Sequence, residues 1–294
     1  MKQTFLNYIM TMRKQLFSFL TITITLASTC SFAQSTADTI VLRDITWDKI
    51  SPAGFIELAI PSGNSLMQGF IYKANGGQKH PTLILLHGYP GNERNLDLAQ
   101  VVRAHGWNVI YFNYRGSWGS QGQFSFKNCV EDVVNVVGFC KKYQDSLQVD
   151  TSNIVLFGHS MGAWVCLKAL QELPSVKKGF ALSTWNIYGD YKNIKDTMEI
   201  ENLADESFVL NTSAKNIYKP VIKNPAYYNL ANDSNALASK KIIMLDENTR
   251  NKEIADAIKS SNKSYFDYEV WQTDHPFTNK RVALMKMVLT FLDK

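Results

Sequence analysis

Residues 154–170 read Ile154-Val155-Leu156-Phe157, then Gly158-His159-Ser160-Met161-Gly162, then Ala163-Trp164-Val165-Cys166-Leu167-Lys168-Ala169-Leu170. Four apolar residues with β-branched members read as a buried strand, and the last eight read as a helix start. The pentapeptide between them is G-x-S-x-G. A strand that runs through a sharp turn into a helix is the context a nucleophile elbow requires. The two glycines let the chain turn tightly and remove Cβ atoms from beside a strained serine. Ser160 is then held above the sheet at the positive end of the following helix. The pentapeptide alone is a weak signal; its strand and helix flanks make it specific.

Outward from the elbow, Thr82-Leu83-Ile84-Leu85-Leu86 is a second buried-strand run, ending in His87-Gly88-Tyr89-Pro90-Gly91. Asn113-Tyr114-Arg115-Gly116-Ser117-Trp118-Gly119-Ser120 follows a third run, and Asp274-His275-Pro276-Phe277 precedes a C-terminal amphipathic helix. With these four segments in this order, the chain resembles the α/β-hydrolase superfamily of serine hydrolases. Within it, the chain is most similar to prolyl-oligopeptidase-like and dienelactone-hydrolase-like members. The resemblance covers roughly residues 66–294. It implies a mostly parallel central sheet with helices on both faces, an acyl-enzyme mechanism and no cofactor.

The alternation of elements agrees with that fold class. Phe55–Ile60 and Met67–Tyr72 flank the turn cluster Pro61-Ser62-Gly63-Asn64 and read as an antiparallel hairpin. From Gly76-Gly77 onward strands alternate with helices, as a parallel sheet demands. The strand candidates are 82–86, 108–112, 154–157, 180–182, 242–245 and 265–270. The helix candidates are 95–105, 130–142, 161–173, 252–260 and 279–292. Residues 185–239 break the alternation with a polar, Lys-, Asp- and Asn-rich stretch. A long insertion of this kind is usually functional, and the resemblance implies a small cap over the site.

A serine hydroxyl is not ionised at neutral pH, so Ser160 needs a base, and the base needs a carboxylate to fix its tautomer. The chain order in this fold is serine, acid, histidine. His275 alone among the histidines lies downstream of Ser160, which makes it the base. His159 beside the serine is expected to point elsewhere, and the resemblance implies that His87 shapes its turn. Two backbone N–H groups should hold the oxyanion: that of Met161, and that of Tyr89, since Pro90 has none to give. The acid is open. The strand ends Leu245-Asp246-Glu247-Asn248-Thr249, and the family's usual acid position falls on Asn248 or Thr249. Glu247 is favoured for its reach, Asp246 is next, and Asp190 is the fallback. Arg115 reads as a structural arginine or as a partner for a substrate carboxylate.

At 294 residues and 45% apolar composition, the chain suits one large domain with a substantial core. Its N-terminus reads as an export signal: basic Arg13-Lys14, apolar 16–27, then Ser31-Phe32-Ala33 as a cleavage site before Gln34. The rival is a lipid anchor on Cys30, which Thr29 fits poorly. Loss of residues 1–33 removes Lys2, Arg13 and Lys14 and no acid, so the formal charge of +5 falls to +2. No Lys/Arg cluster then suggests nucleic acid, and neither a metal site nor a disulfide is expected from the remaining cysteines 129, 140 and 166. The expected protein is an exported (periplasmic or secreted) hydrolase, unattached to membrane once the signal is lost. Its substrate is a small-molecule ester or short peptide. The alternatives are a peptidase or aminoacyl hydrolase of the prolyl-oligopeptidase type, and a degenerate hydrolase fold that binds without catalysing.

Overall fold

In the computed structural model, residues 44–194 and 208–293 are described; the expected signal segment lies outside them. Their strands form one sheet in the order β1-β2-β4-β3-β5-β6-β7-β8. β1 (Gly54–Ser62) and β2 (Ser65–Lys73) make the expected hairpin, with Ser62 opposite Ser65. Gly63 turns the chain at φ 55°, and a Cβ there would sit 2.8 Å from the Arg115 guanidinium. β2 runs antiparallel to β4 (Asn108–Phe112). The other pairings, through β3 (His80–Leu86), β5 (Val149–His159), β6 (Lys178–Leu182), β7 (Lys241–Asp246) and β8 (Phe266–Val270), are parallel. Sequence and structure therefore agree on an α/β-hydrolase architecture.

The reason is visible strand by strand. β3, β4 and β5 carry unbroken Val/Ile/Leu/Phe runs because helices cover both faces of a parallel sheet; Leu83, Ile84, Val109, Ile110, Val155 and Leu156 are fully buried. The helices are α1 (Leu96–Ala104), α2 (Phe126–Lys142) and α3 (Met161–Glu172). α2 begins four residues before the apolar periodicity starts at Val130. Ser125 caps it there, its hydroxyl accepting from the Asn128 N–H at 3.1 Å. α3 lies behind the elbow and is buried on nearly every side, from Met161 to Leu170. Cys129, Cys140 and Cys166 are free and buried in this core.

The stretch after β6 is more ordered than its polar composition suggests. Its described part holds α4 (Ile187–Tyr191), α5 (Ala214–Lys223) and α6 (Pro225–Tyr228), followed by a 3-10 turn at Leu230–Asp233. Asn- and Lys-rich composition and Pro220 inside α5 hid the helical period, yet Ile217, Tyr218 and Val221 are buried as one face. Ser213 caps α5. The segment is tied back to the loop after β4: Asn211 N–H donates to Gly116 O at 2.7 Å, and Trp118 N–H to Val209 O at 2.9 Å. Two last helices complete the fold, α7 (Lys252–Ser261) and α8 (Arg281–Asp293).

Candidate active site

Ser160 stands between β5 and α3 at φ 59° and ψ −119°. That is a costly conformation for a residue with a Cβ, and it persists only where its surroundings fix it. Ser160 N–H donates to Leu182 O at 2.8 Å, and Ser160 O accepts from Trp185 N–H at 3.1 Å and Ala163 N–H at 3.0 Å. The flanking glycines are explained by space. A Cβ on Gly158 would fall 2.0 Å from Gly162 O, and one on Gly162 would fall 2.0 Å from Leu86 O. Gly88, in the turn after β3, is close enough that its Cβ would meet Ser160 Cβ at 3.0 Å and Oγ at 3.5 Å. The turn carrying Tyr89 therefore lies directly against the serine. Met161 opens α3, so its N–H has no intrahelical acceptor.

His275 lies in the loop between β8 and α8, and its neighbours hold that loop. Asp274 accepts from the Thr278 N–H at 2.6 Å, Phe277 is fully buried, and Arg281 donates to Pro276 O at 3.1 Å while pairing with Asp97 on α1. The ring's Nδ1 is 3.2 Å from Glu247 Oε1. Glu247 Oε2 accepts from Ser183 Oγ at 2.7 Å. Burial would raise the Glu247 pKa, but the hydrogen bonds from His275 and Ser183 outweigh it and pull it down to about 2. Glu247 is thus an anion at neutral pH, and half of the His275 side chain (51%) remains exposed.

The other two acid candidates are occupied elsewhere. Asp246 is buried and faces away from the histidine. Its Oδ1 accepts from the Thr184 N–H at 3.0 Å and its Oδ2 from Asn251 Nδ2 at 3.1 Å. Burial raises its pKa to about 6, against those hydrogen bonds. Consecutive residues leaving a strand point to opposite sides, so Glu247 reaches the histidine and Asp246 braces the loop of Thr184. Asp190 accepts from Trp185 Nε1 at 2.7 Å and pairs with Arg250 at 2.6 Å.

Of three further residues, His159 departs from its sequence reading, Ser183 had none, and Arg115 takes the structural role, one of the two read for it. His159 does not point away from the site: its Nε2 is 3.0 Å from the His275 carbonyl, and the two rings lie 4.8 Å apart. Burial lowers its pKa to about 4, so it is neutral and donates. Ser183 was not singled out, although it directly follows β6 at the edge of the sheet where sites of this fold gather; it touches both Glu247 and His275 O, the latter at 3.2 Å. Arg115 is structural. It forms a buried pair with Asp132 and reaches Glu131 at 2.7 Å. The aromatic residues divide: Phe124 and Phe126 are core, whereas Trp118 donates to Pro90 O at 2.7 Å and so fixes the Tyr89 turn. The Tyr89 ring packs 5.8 Å from Trp185, and Tyr218 hydrogen-bonds both Tyr89 and Tyr191.

The arrangement puts a half-buried serine in a strained turn, and its neighbour His159 contacts the loop of a histidine that an ionised carboxylate backs. Residues 77–243 match the hydrolase family model described as serine aminopeptidase, S33. The chain belongs to this family. Protein RP471 of Rickettsia prowazekii is 31% identical over 109 residues, 35% of this chain and 44% of that protein. The chicken (Gallus gallus) lysophosphatidylserine lipase ABHD12 is 27% identical over 100 residues, 33% of this chain and 25% of that protein. The matches therefore span less than half the length of these curated relatives. Among solved structures, Est1E from Butyrivibrio proteoclasticus, determined with ferulic acid bound, shares the fold at TM-score 0.64 and 16% identity, over 81% of this chain and 100% of that one.

Proposed function

We propose that the chain hydrolyses an ester bond through an acyl-enzyme on Ser160. The observation that carries this reading is the Glu247–His275 contact, tied through His159 to a serine held at φ 59°. With Nδ1–H donated to Glu247, His275 Nε2 keeps its lone pair and acts as the base. Ser160 Oγ attacks the carbonyl carbon and its proton passes to Nε2. The oxyanion is held by the Met161 and Tyr89 amides. The imidazolium then gives its proton to the leaving alcohol as the C–O bond breaks. Water, deprotonated by the same nitrogen, frees the acid and restores the serine. Every proton is accounted for by these groups, and the imidazolium formed twice per cycle faces the Glu247 anion.

The ester reading draws support from the lipase name of the ABHD12 relatives and from the fold shared with Est1E. The family description as an aminopeptidase favours the second reading, an amide of a short peptide attacked by the same groups. Labelling with a fluorophosphonate tests the mechanism: it should modify Ser160, and an unlabelled serine would mean a binding fold without chemistry. Turnover of acyl esters of graded chain length, set against aminoacyl amides, separates the two substrates. We further propose that residues 185–239 cap the site, and that the chain is exported with residues 1–33 removed. N-terminal sequencing from the producing cell should begin at Gln34, and a retained Met start or a lipid on Cys30 would exclude this cleavage.

A further inference from the structure

A cleft of about 460 Å³ is lined by Lys127 from the first turn of α2, by Lys215, Lys219 and Lys223 from α5, and by Tyr227 and Tyr228 from α6. None of Ser160, His275 or Glu247 lines it, so it stands apart from the hydrolytic site. The three α5 lysines recur at four-residue spacing, on the side of the helix opposite buried Ile217, Tyr218 and Val221. They form a cationic row about 12 Å long. Like charges at this spacing destabilise a helix, so Lys219 and Lys223 cost stability when no anion sits on them. Among the described residues Lys79, Lys168, Lys252 and Lys259 are ion-paired, whereas Lys127, Lys219 and Lys223 have no carboxylate partner there. Neither α2 nor α5 carries an acid in its first turn. The positive end of the 17-residue α2, beside Lys127, therefore adds to the field.

The wall of the cleft is aromatic. Tyr228 is buried and stacks on Trp164 with ring centres 5.6 Å apart, and Tyr227 meets it edge-on at 5.0 Å. Lys168, paired to Asp233, holds Tyr227 from behind at 4.2 Å. A rigid apolar wall beside a row of cations matches a ligand that is apolar at one end and anionic at the other. We propose that this cleft binds an amphiphile with an anionic head group, phosphate or carboxylate. Its chain lies along Tyr227 and Tyr228 and its head among Lys127, Lys219 and Lys223. A bare anion would leave the wall wet, and a neutral amphiphile would leave the cations uncompensated.

Calorimetry on the full chain with dodecyl phosphate below its micelle concentration tests this, with inorganic phosphate and dodecyl maltoside as the half-ligands. Dodecyl phosphate should bind at least about tenfold more tightly than either, and Lys219→Glu with Lys223→Glu should weaken it by about tenfold or more. Lys263→Glu, an exposed lysine outside the cleft, should change nothing. Equal affinity for phosphate, equal affinity for the maltoside, or binding indifferent to the double variant would each overturn the proposal. So would flotation with phosphatidylglycerol vesicles in the absence of monomer binding, which marks charge adsorption to a surface and not a cleft. Because no arm reads turnover, failure here leaves the hydrolytic reading untouched, and the converse holds.

Discussion

Asp132, on α2, and Glu247, directly after β7, each pair with a cation-forming side chain, and they do so on different plans. Asp132 is fully buried. It accepts from the Arg115 N–H at 2.9 Å, from Ser62 Oγ at 2.6 Å and from the Arg115 guanidinium, and Ser62 is itself held by Asn135. This saturated knot joins the hairpin turn, the loop after β4 and α2. The side chains that donate to Glu247 among the described residues are Ser183 and His275, and its partner is half exposed. One pair spends its bonding capacity on holding the chain. The other leaves the imidazole half exposed to solvent, as the proposed base requires. Neighbouring Asp246 shows that the difference lies in environment, since it sits one residue from Glu247 and belongs to the first plan.

The largest effect should come from the serine. Ser160→Ala should remove turnover by about 10⁶-fold, with His275→Ala nearly as severe, because the two act as a unit. Stability should change by under about 1 kcal/mol, since alanine keeps the backbone bonds that hold the turn. Substantial residual kcat in the serine variant would break the distinction between a working pair and a bracing pair.

Next, Glu247→Gln should lower kcat by roughly 10³–10⁴ with the fold intact, because glutamine cannot stabilise the imidazolium. Asp246→Asn should leave kcat within about tenfold. The reverse ranking would mean that the geometry of β7's end differs in solution. Arg115→Met acts on the other plan. It strands a buried carboxylate, so urea denaturation should report a loss of about 3–5 kcal/mol, while kcat per folded molecule stays constant. A fall in kcat without a fall in stability would give Arg115 a role at the substrate.

These contrasts mark what the sequence made legible. The elbow, the turn after β3 and the last loop were readable because each depends on local residue types: glycines where a Cβ has no room, an apolar run, a buried Phe277. Glu247 could be favoured over Asp246 and Asp190 only for its reach, because the strand's exit register decides which carboxylate faces the histidine, and register is set by pairing with β6 and β8. The roles of Ser183 and His159 were not legible. Both act on the His275 carbonyl, and that atom is placed by the fold from a loop 116 residues beyond His159. The helices after β6 were hidden for a different reason: their burial is driven by aromatic contacts to Phe126 and Trp164 that composition cannot signal.

The smallest effect concerns pH, and it tests whether Asp246 truly belongs with Asp132. His87 and His159 are buried, and burial holds each near 4, below the ordinary 6.5. Their contribution to stability is complete above pH 6.5 and is lost as pH falls toward 4, because the unfolded chain binds protons that the folded chain refuses. Asp246 has the opposite sign. Its pKa is raised from 3.8 to about 6 by burial, so the folded chain takes up a proton first, and stability is gained as pH falls through that window. Between about pH 4.5 and 6 the one carboxyl offsets about one of the two histidines. Asp246→Asn keeps an acceptor for the Thr184 N–H, but it sets an amide N–H against Asn251 Nδ2, which is fixed by its own bond to Thr184 O at 2.7 Å. Stability at pH 8 should therefore fall by about 1–3 kcal/mol. The offset is removed, however, so the fall in stability from pH 6 to 4.5 should become roughly twice as steep. Urea midpoints measured across that range read the slope directly. An unchanged slope would mean that Asp246 is ionised throughout, like Glu247, and that the two neighbours share one plan.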